Sequence, residues 1–347
     1  MMPRNLSFSQ AIHEALTIAM TSDENVVLMG EDVAGGAQVD HLQDEDAWGG
    51  VLGVTKGLVQ RFGRERVLDT PITEAGFIGA AVGAAATGLR PVAELMFNDF
   101  IGSCLDQLMN QAAKLRYMFG GKAEVPLTIR TMHGAGFRAA AQHSQSLYAL
   151  FTHIPGLKVV VPATPADAKG LLLTSIYDND PVIFFEDKTL YNIQGEVPEG
   201  DYRVPLGKAD IKRVGGDLTI VAIGKQVHTA LAAADALSAQ GIDAEVVDVR
   251  SLSPLDETTI LTSVEKTNRL IIVDEATARC GASADIAALV AEKGFDSLDA
   301  PIKRVTGPHT PVPFSPTLED AYLPTPSKII QAVAELLGDS SIAAAVR

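Results

Sequence analysis

The chain has 347 residues, with 28 Lys and Arg against 43 Asp and Glu, a formal net charge of −15. At about 150 residues per domain the length predicts two domains, and 47% apolar against 20% charged residues supplies a large core and argues against global disorder. The acidic balance argues against nucleic acid or an anionic membrane surface as partner, and no run approaches the roughly 18 consecutive apolar residues of a membrane span.

In chain order, Ile12, Ala15, Leu16 and Ala19 fall at helical spacing ahead of a short apolar run, Val26–Gly30, that reads as a buried strand. Further strands are expected at Val67–Thr70, Pro91–Met96, Leu127–Met132, Val159–Ala163 and Val182–Glu186, with helices at Gly76–Gly88 and Ile101–Met118 between them. Short strands rich in Val, Ile and Leu alternating with helices predict an α/β fold: a parallel sheet covered by helices on both faces. Gly195, Pro198, Gly200, Pro205, Gly207, Gly215 and Gly216 then break the periodicity, which predicts a linker over 196–216 after a first domain of 1–195. A smaller α/β domain is expected over 217–338. Its strands are Leu218–Gly224, Glu245–Val249, Leu270–Asp274 and Ile302–Val305, and its helices Val227–Gln240, Leu255–Thr267, Ser283–Lys293 and Lys328–Leu337. The small, polar tail 339–347 is expected to fray.

Cys104 and Cys280 are far apart and neither has a CxxC or His-rich neighbour. That argues against a disulfide framework or a thiolate zinc site. Met1-Met2-Pro3-Arg4-Asn5 leads into a polar helical pattern rather than an apolar signal core, so a reducing cytoplasm is the expected compartment. Gly134-Ala135-Gly136-Phe137-Arg138-Ala139 follows a strand and fits G-x-G-x-x-A, but the next strand ends Val161-Pro162-Ala163 without the acidic residue a dinucleotide site needs. His133, His143 and His153 recur every ten residues, which is no metal-ligand spacing.

Two residues stand out by setting. His143 lies in Ala141-Gln142-His143-Ser144-Gln145, a polar cluster closing a Gly/Ala-rich loop, where an imidazole can reach a cleft and titrate near neutrality. Glu74 lies in Asp69-Thr70-Pro71-Ile72-Thr73-Glu74, where a strand meets a helix of small residues. It is either an ordinary carboxylate stabilised by the helix dipole, with Thr73 as cap, or a functional group at the sheet-edge crevice where α/β folds place ligands. The helix Gly79–Gly88 has almost no side-chain bulk and suits a close subunit or domain contact.

Together, Gly30-Glu31-Asp32-Val33, Gly49–Leu58, Asp69–Glu74, Gln142-His143-Ser144-Gln145 and Pro155–Val160 resemble the beta subunits of the thiamine-diphosphate-dependent component of 2-oxo acid dehydrogenase complexes. Thr131–Gly136, Glu186–Tyr191 and Gly307–Phe314 resemble the acetoin-cleaving branch; relatives acting on pyruvate or branched-chain 2-oxo acids commonly have Asp where His309 stands. The resemblance implies a pyrimidine-binding domain, a transketolase C-terminal-like domain, and an alpha2beta2 heterotetramer with thiamine diphosphate at the alpha–beta interface. The family's GDG motif for the diphosphate and magnesium belongs to alpha; here Gly216-Asp217 is followed by Leu218, so this chain should hold half a site.

The resemblance puts the family's activating glutamate on Glu74, hydrogen-bonded to N1′ of the aminopyrimidine, and Ile72, Met96 and Phe100 around the pyrimidine. His143 falls on the active-centre histidine, which binds substrate oxygen or shuttles a proton during acyl transfer. A structural potassium ion is implied at Leu127, Ser175, Ile176, Asp178 and Asp180, since carbonyl oxygens can replace its hydration shell. Asp178-Asn179-Asp180-Pro181 also reads as an ordinary turn. The expected partners are the alpha subunit and a lipoyl-bearing dihydrolipoamide acetyltransferase core. The reaction implied is acetoin cleavage with acetyl transfer to lipoamide. Pyruvate or branched-chain 2-oxo acid decarboxylation by the same machinery, and a noncatalytic docking or assembly subunit, are the alternatives.

Overall fold

The computed structural model describes residues 4–35 and 48–344, which form two compact units. The first takes most of the chain up to His133 together with Leu150–Leu206; the second takes Gly134–Ala149 together with the chain from Gly207 onward. The loop Gly134–Ala149 thus packs with the C-terminal half, although the sequence places it inside the N-terminal one.

In the first unit the chain runs β1 (Asn5–Ser7), α1 (Phe8–Ser22), β2 (Val26–Gly30), α2 (Leu58–Phe62), β3 (Val67–Asp69), α3 (Glu74–Ala86), β4 (Arg90–Phe97), α4 (Ile101–Asp106), α5 (Ala113–Met118), β5 (Thr128–His133), α6 (Tyr148–Thr152), β6 (Lys158–Val160), α7 (Pro165–Ile176), β7 (Val182–Asp187) and β8 (Gln194–Glu196); the first residues of α6 belong to the second unit. Strands β6-β7-β5-β4-β2-β3 are hydrogen-bonded in that order and all parallel. Helix α1 starts on a capping box, Ser7 with Gln10, and buries Phe8, Ile12, Ala15, Leu16 and Ala19.

Helix α7 is absent from the periodicity reading because it has no polar face: it is buried nearly all round, Lys169 included. The Lys169 ammonium is satisfied by Glu14 at 3.1 Å and the Pro198 carbonyl at 2.7 Å. The single helix expected over Ile101–Met118 is interrupted. Cys104 leaves helical geometry and residues 107–112 widen into a π-helix. The stretch is crowded: a Cβ on Gly79 of α3 would touch Gln107 at 3.4 Å, and one on Gly156 would overlap the Ala113 carbonyl.

The second unit contains β9 (Asp210–Arg213), β10 (Leu218–Ala222), α8 (Gln226–Ser238), β11 (Ala244–Asp248), β12 (Ser251–Ser253), α9 (Glu257–Thr267), β13 (Leu270–Thr277), α10 (Ala282–Lys293), β14 (Lys303–Gly307), α11 (Pro316–Tyr322), α12 (Pro326–Leu337) and α13 (Ser340–Ala344). Its sheet order is β14-β13-β10-β11-β9, parallel except for β9 against β11. Strand β9 lies within the segment read as a linker, as a short sheet edge. The tail expected to fray carries α13 instead. Gly338 closes α12 in the left-handed conformation, and the Asp339 carboxylate accepts from the backbone and hydroxyl of Ser341 at 2.9 and 2.6 Å, capping the new turn. Among the described residues, no helix is long and apolar enough to cross a membrane.

Candidate active site

Helix α3 begins at Glu74, two residues earlier than the small-residue run suggests. Thr73 occupies the cap position, but its side chain makes no capping bond, so the Glu74 carboxylate is the charged group the helix start receives. Ile72, just before it, is 83% exposed. Met96, next to last in β4, is half-buried against the core of this unit. Phe100 follows in a 3₁₀ turn, edge-on to Phe97 at 5.6 Å.

Carboxylates converge near Glu74. Glu31, directly after strand β2, is buried, and its Oε1 has no hydrogen-bond partner among the described residues. Burial raises its pKa, and the charges of Glu74, Asp32 and Glu94 raise it further. Burial likewise pushes the Cys104 thiol up to about 12, with the Glu74 charge adding to it. Thr70 Oγ1 is a second buried polar atom without a partner there.

Deeper in the same sheet sits a buried ion cluster. Arg130 on β5 forks onto Glu186 of β7 at 2.7 and 2.9 Å and reaches Glu94 of β4 at 2.7 Å. Tyr191 donates to Glu186 at 2.6 Å. Burial opposes the guanidinium charge, but Glu186 and Glu94 outweigh it and raise the pKa of Arg130. For Glu94 burial dominates and raises the carboxyl. Neither Glu31 nor this cluster was singled out from sequence. Their signal was positional: charged residues within or directly after strands whose neighbours are all buried.

His143 ends a 3₁₀ turn, Ala141–His143, in the loop Gly134–Ala149 of the second unit. Four residues of this loop have positive φ: Gly134 (94°), Gly136 (101°), Arg138 (58°) and Ala140 (62°). Ala140 combines this with ψ −176°, a region that is essentially glycine-only and costs a side chain about 1–3 kcal/mol. The loop is closed by Gly134 N donating to the Gln145 carbonyl at 3.1 Å. Gln142, Gln145 and Ser146 line a cleft of about 520 Å³ with Thr277, His309, Thr310, Val312 and Tyr322. The Gly307–Phe314 segment therefore shares a cleft with the residues flanking His143.

At the five residues named for potassium, the oxygens already face protein cations or amides. Arg90 Nη1 donates to the carbonyls of Ile176 and Asp178 at 3.3 and 3.2 Å. The Asp178 carboxylate holds Lys158 at 2.7 Å, and Asp180 pairs with Arg116 at 2.9 Å and Lys158 at 3.3 Å. The Leu127 carbonyl accepts from Val182 N at 2.9 Å and that of Ser175 from Asp178 N at 3.2 Å. Protein cations and amides thus already contact oxygens at these residues.

Residues 4–194 match the pyrimidine-binding domain of transketolase, and residues 207–329 match the transketolase C-terminal domain. The chain is 72% identical to the acetoin:2,6-dichlorophenolindophenol oxidoreductase subunit beta of Bacillus subtilis (98% of this chain, 100% of that one) and 60% identical to the protein of the same description from Cupriavidus necator (95% and 97%). A pyruvate dehydrogenase E1 component subunit beta from Rickettsia felis is 46% identical (94% and 97%). Among solved structures, a split-gene transketolase described as an inactive beta4 tetramer superposes with a TM-score of 0.76 over 96% of this chain and 98% of its own, at 23% identity. The chain belongs to the family of transketolase-like, thiamine-diphosphate-dependent oxidoreductase beta subunits.

Proposed function

We propose that this chain, joined to an alpha subunit, cleaves acetoin and passes the two-carbon unit to lipoamide as acetyl. The bond between the carbonyl and carbinol carbons breaks and acetaldehyde leaves. The acetyl unit joins one lipoyl sulfur while the lipoyl disulfide is reduced, the second sulfur leaving as a thiol. Identity of 72% and 60% to acetoin oxidoreductase beta subunits, against 46% for the pyruvate dehydrogenase subunit, supports acetoin over 2-oxo acids.

The observation that carries the chemical reading is Glu74 at the first position of α3, beside a buried Glu31 oxygen and a Thr70 hydroxyl that have no hydrogen-bond partner among the described residues. Buried polar atoms left unpaired at a strand-to-helix crossing fit a polar ring that completes them. Ile72, Met96 and Phe100 would cover the aminopyrimidine of thiamine diphosphate, and Glu74 would hold a proton at its N1′. The cofactor when bound supplies the carbanion that the protein cannot. The roles of this chain are to orient that ring, exclude water with Ile72 and Phe100, and keep a carboxylate where proton movement needs it. His143 would donate to substrate oxygen or carry a proton during acyl transfer. Magnesium and the diphosphate fall to the alpha subunit, because the GDG signature is absent from this sequence.

The further partner in this reading is a lipoyl-bearing dihydrolipoamide acetyltransferase core, to which a net charge of −15 offers an acidic surface. The reading places the assembly in the cytoplasm, supported by two free cysteines, one of them exposed. Reconstitution with the alpha subunit and assay of acetoin against pyruvate tests it. Acetoin should be preferred, and a preference for pyruvate overturns the assignment.

A further inference from the structure

The geometry points to Glu275 and Glu319 as positioning residues that hold the strained His143 loop in its working conformation. Neither was singled out from sequence, and both are buried, at 4% and 0% exposure. Glu275 sits near the C-terminal end of β13, where α/β sheets present functional groups. Its Oε1 accepts from Ala135 N at 3.0 Å and Ser146 Oγ at 2.7 Å, so one carboxylate oxygen ties the start of the loop to its end. Its other oxygen pairs with Lys225 at 2.5 Å, and Lys225 also donates to the Ala135 carbonyl.

Glu319 on α11 does the same for the next turn. Its Oε1 takes Gly136 N at 2.5 Å and Arg138 N at 3.4 Å, and its Oε2 takes the Arg138 guanidinium at 2.8 Å. Arg138 reaches Asp320 as well, at 2.5 Å. The loop's exit is fixed by Tyr148, which donates to the buried Asp274, itself accepting from Ala276 N at 2.9 Å and Ser283 N at 3.2 Å.

Non-glycine residues at 138 and 140 hold positive φ only while their surroundings over-determine it. The carboxylates bracket those residues and are the charged groups that meet the backbone amides of the strained stretch. Charge-assisted bonds to amides are stronger than neutral ones, and His143 follows Ala140 by one short turn. The functional consequence rests on the reading of His143 as an active-centre residue; the loop-holding role does not.

The test uses the assembled alpha–beta enzyme carrying Glu319→Ala, with amide hydrogen exchange over 134–146 and steady-state kinetics side by side. Exchange in that segment should rise about 10-fold or more, while strand β10 stays as protected as in the parent. The kcat for acetyl transfer to lipoamide should fall about 10-fold, with KM for acetoin within about 2-fold. Adding Ala140→Gly should recover at least about 3-fold of the lost kcat, since glycine takes that conformation unstrained. A merely structural defect would not respond to it. Unchanged exchange in 134–146, or no recovery with Ala140→Gly, overturns the proposal. Should Glu319→Ala fail to fold, Glu319→Gln and Glu275→Gln weaken the same contacts with little change in buried volume and are read identically. If His143→Ala leaves acyl transfer intact, the reading of His143 falls, and the exchange experiment still decides the role of the two carboxylates.

Discussion

Two regions use buried charge differently: the sheet around Arg130 and the loop around His143. In the first, Arg130, Glu94 and Glu186 pair inside the sheet, while Glu74 rests on a helix start with no capping bond from Thr73. In the second, Glu275 and Glu319 each give carboxylate oxygen to amides of the loop Gly134–Ala149, and Asp274 accepts from Tyr148 at its end. Charge inside a sheet secures the whole unit, so its loss is felt globally. Charge spent on a loop secures one conformation, so its loss is felt locally. Glu74 belongs to neither network and is free to be optimised for chemistry.

The largest expected effect breaks the first network. Glu186→Ala leaves Arg130 a buried cation with only Glu94, which should cost about 3–5 kcal/mol. A fall in thermal midpoint well beyond that of any loop variant is the expected readout; a fall equal to theirs would erase the contrast between the regions. Next is Glu74→Ala. In the reconstituted enzyme it should lose about 10²-fold or more in activity, as for a group acting on proton transfer, with the melting temperature nearly unchanged. A small loss would support the noncatalytic docking alternative.

Tyr148→Phe should cost about 1–2 kcal/mol, because Asp274 keeps its two backbone donors and loses one hydroxyl. Protease susceptibility confined to 134–149 would sharpen the comparison, whereas unfolding spread over the second unit would blur it. The smallest effect is pH-dependent. The pKa of Glu31 is raised in the fold, so the native state binds its proton more tightly than the unfolded chain. Stability is therefore lost as pH rises from the ordinary carboxylate range through the raised value. Glu31→Gln should stabilise by about 1 kcal/mol, about 2 °C, at pH 8, with the gain vanishing near pH 4; a gain independent of pH would contradict the linkage.

The helix of small residues offers a contrast at the surface. Gly83 is exposed, and a Cβ there meets nothing within 4 Å, so Gly83→Leu should leave this chain folded. If α3 is a subunit contact, as its lack of bulk suggests, the same substitution should reduce co-elution with the alpha subunit.

Many of the strands were legible because parallel strands buried on both faces read as short Val/Ile/Leu runs; Val26–Gly30 is found where it was expected. Helix α7 was not legible, since a helix buried on all sides loses its stripe. The short edge strands β1, β8 and β9 were not either, because three- or four-residue strands carry too little periodicity. Glu74 and His143 stand out in the sequence through their local setting. Glu31, Glu275 and Glu319 look like ordinary acidic residues in one dimension.

What the sequence by itself determined was the alternation of elements and the family. These depend on local pattern and on motifs kept in order along the chain. Only the tertiary structure decided that the His143 loop packs with the C-terminal unit, and that Glu275 and Glu319 meet its amides. The reason is physical. A hydrogen bond between residues more than a hundred positions apart has no periodicity to read; it exists only once folding has brought donor and acceptor within about 3 Å.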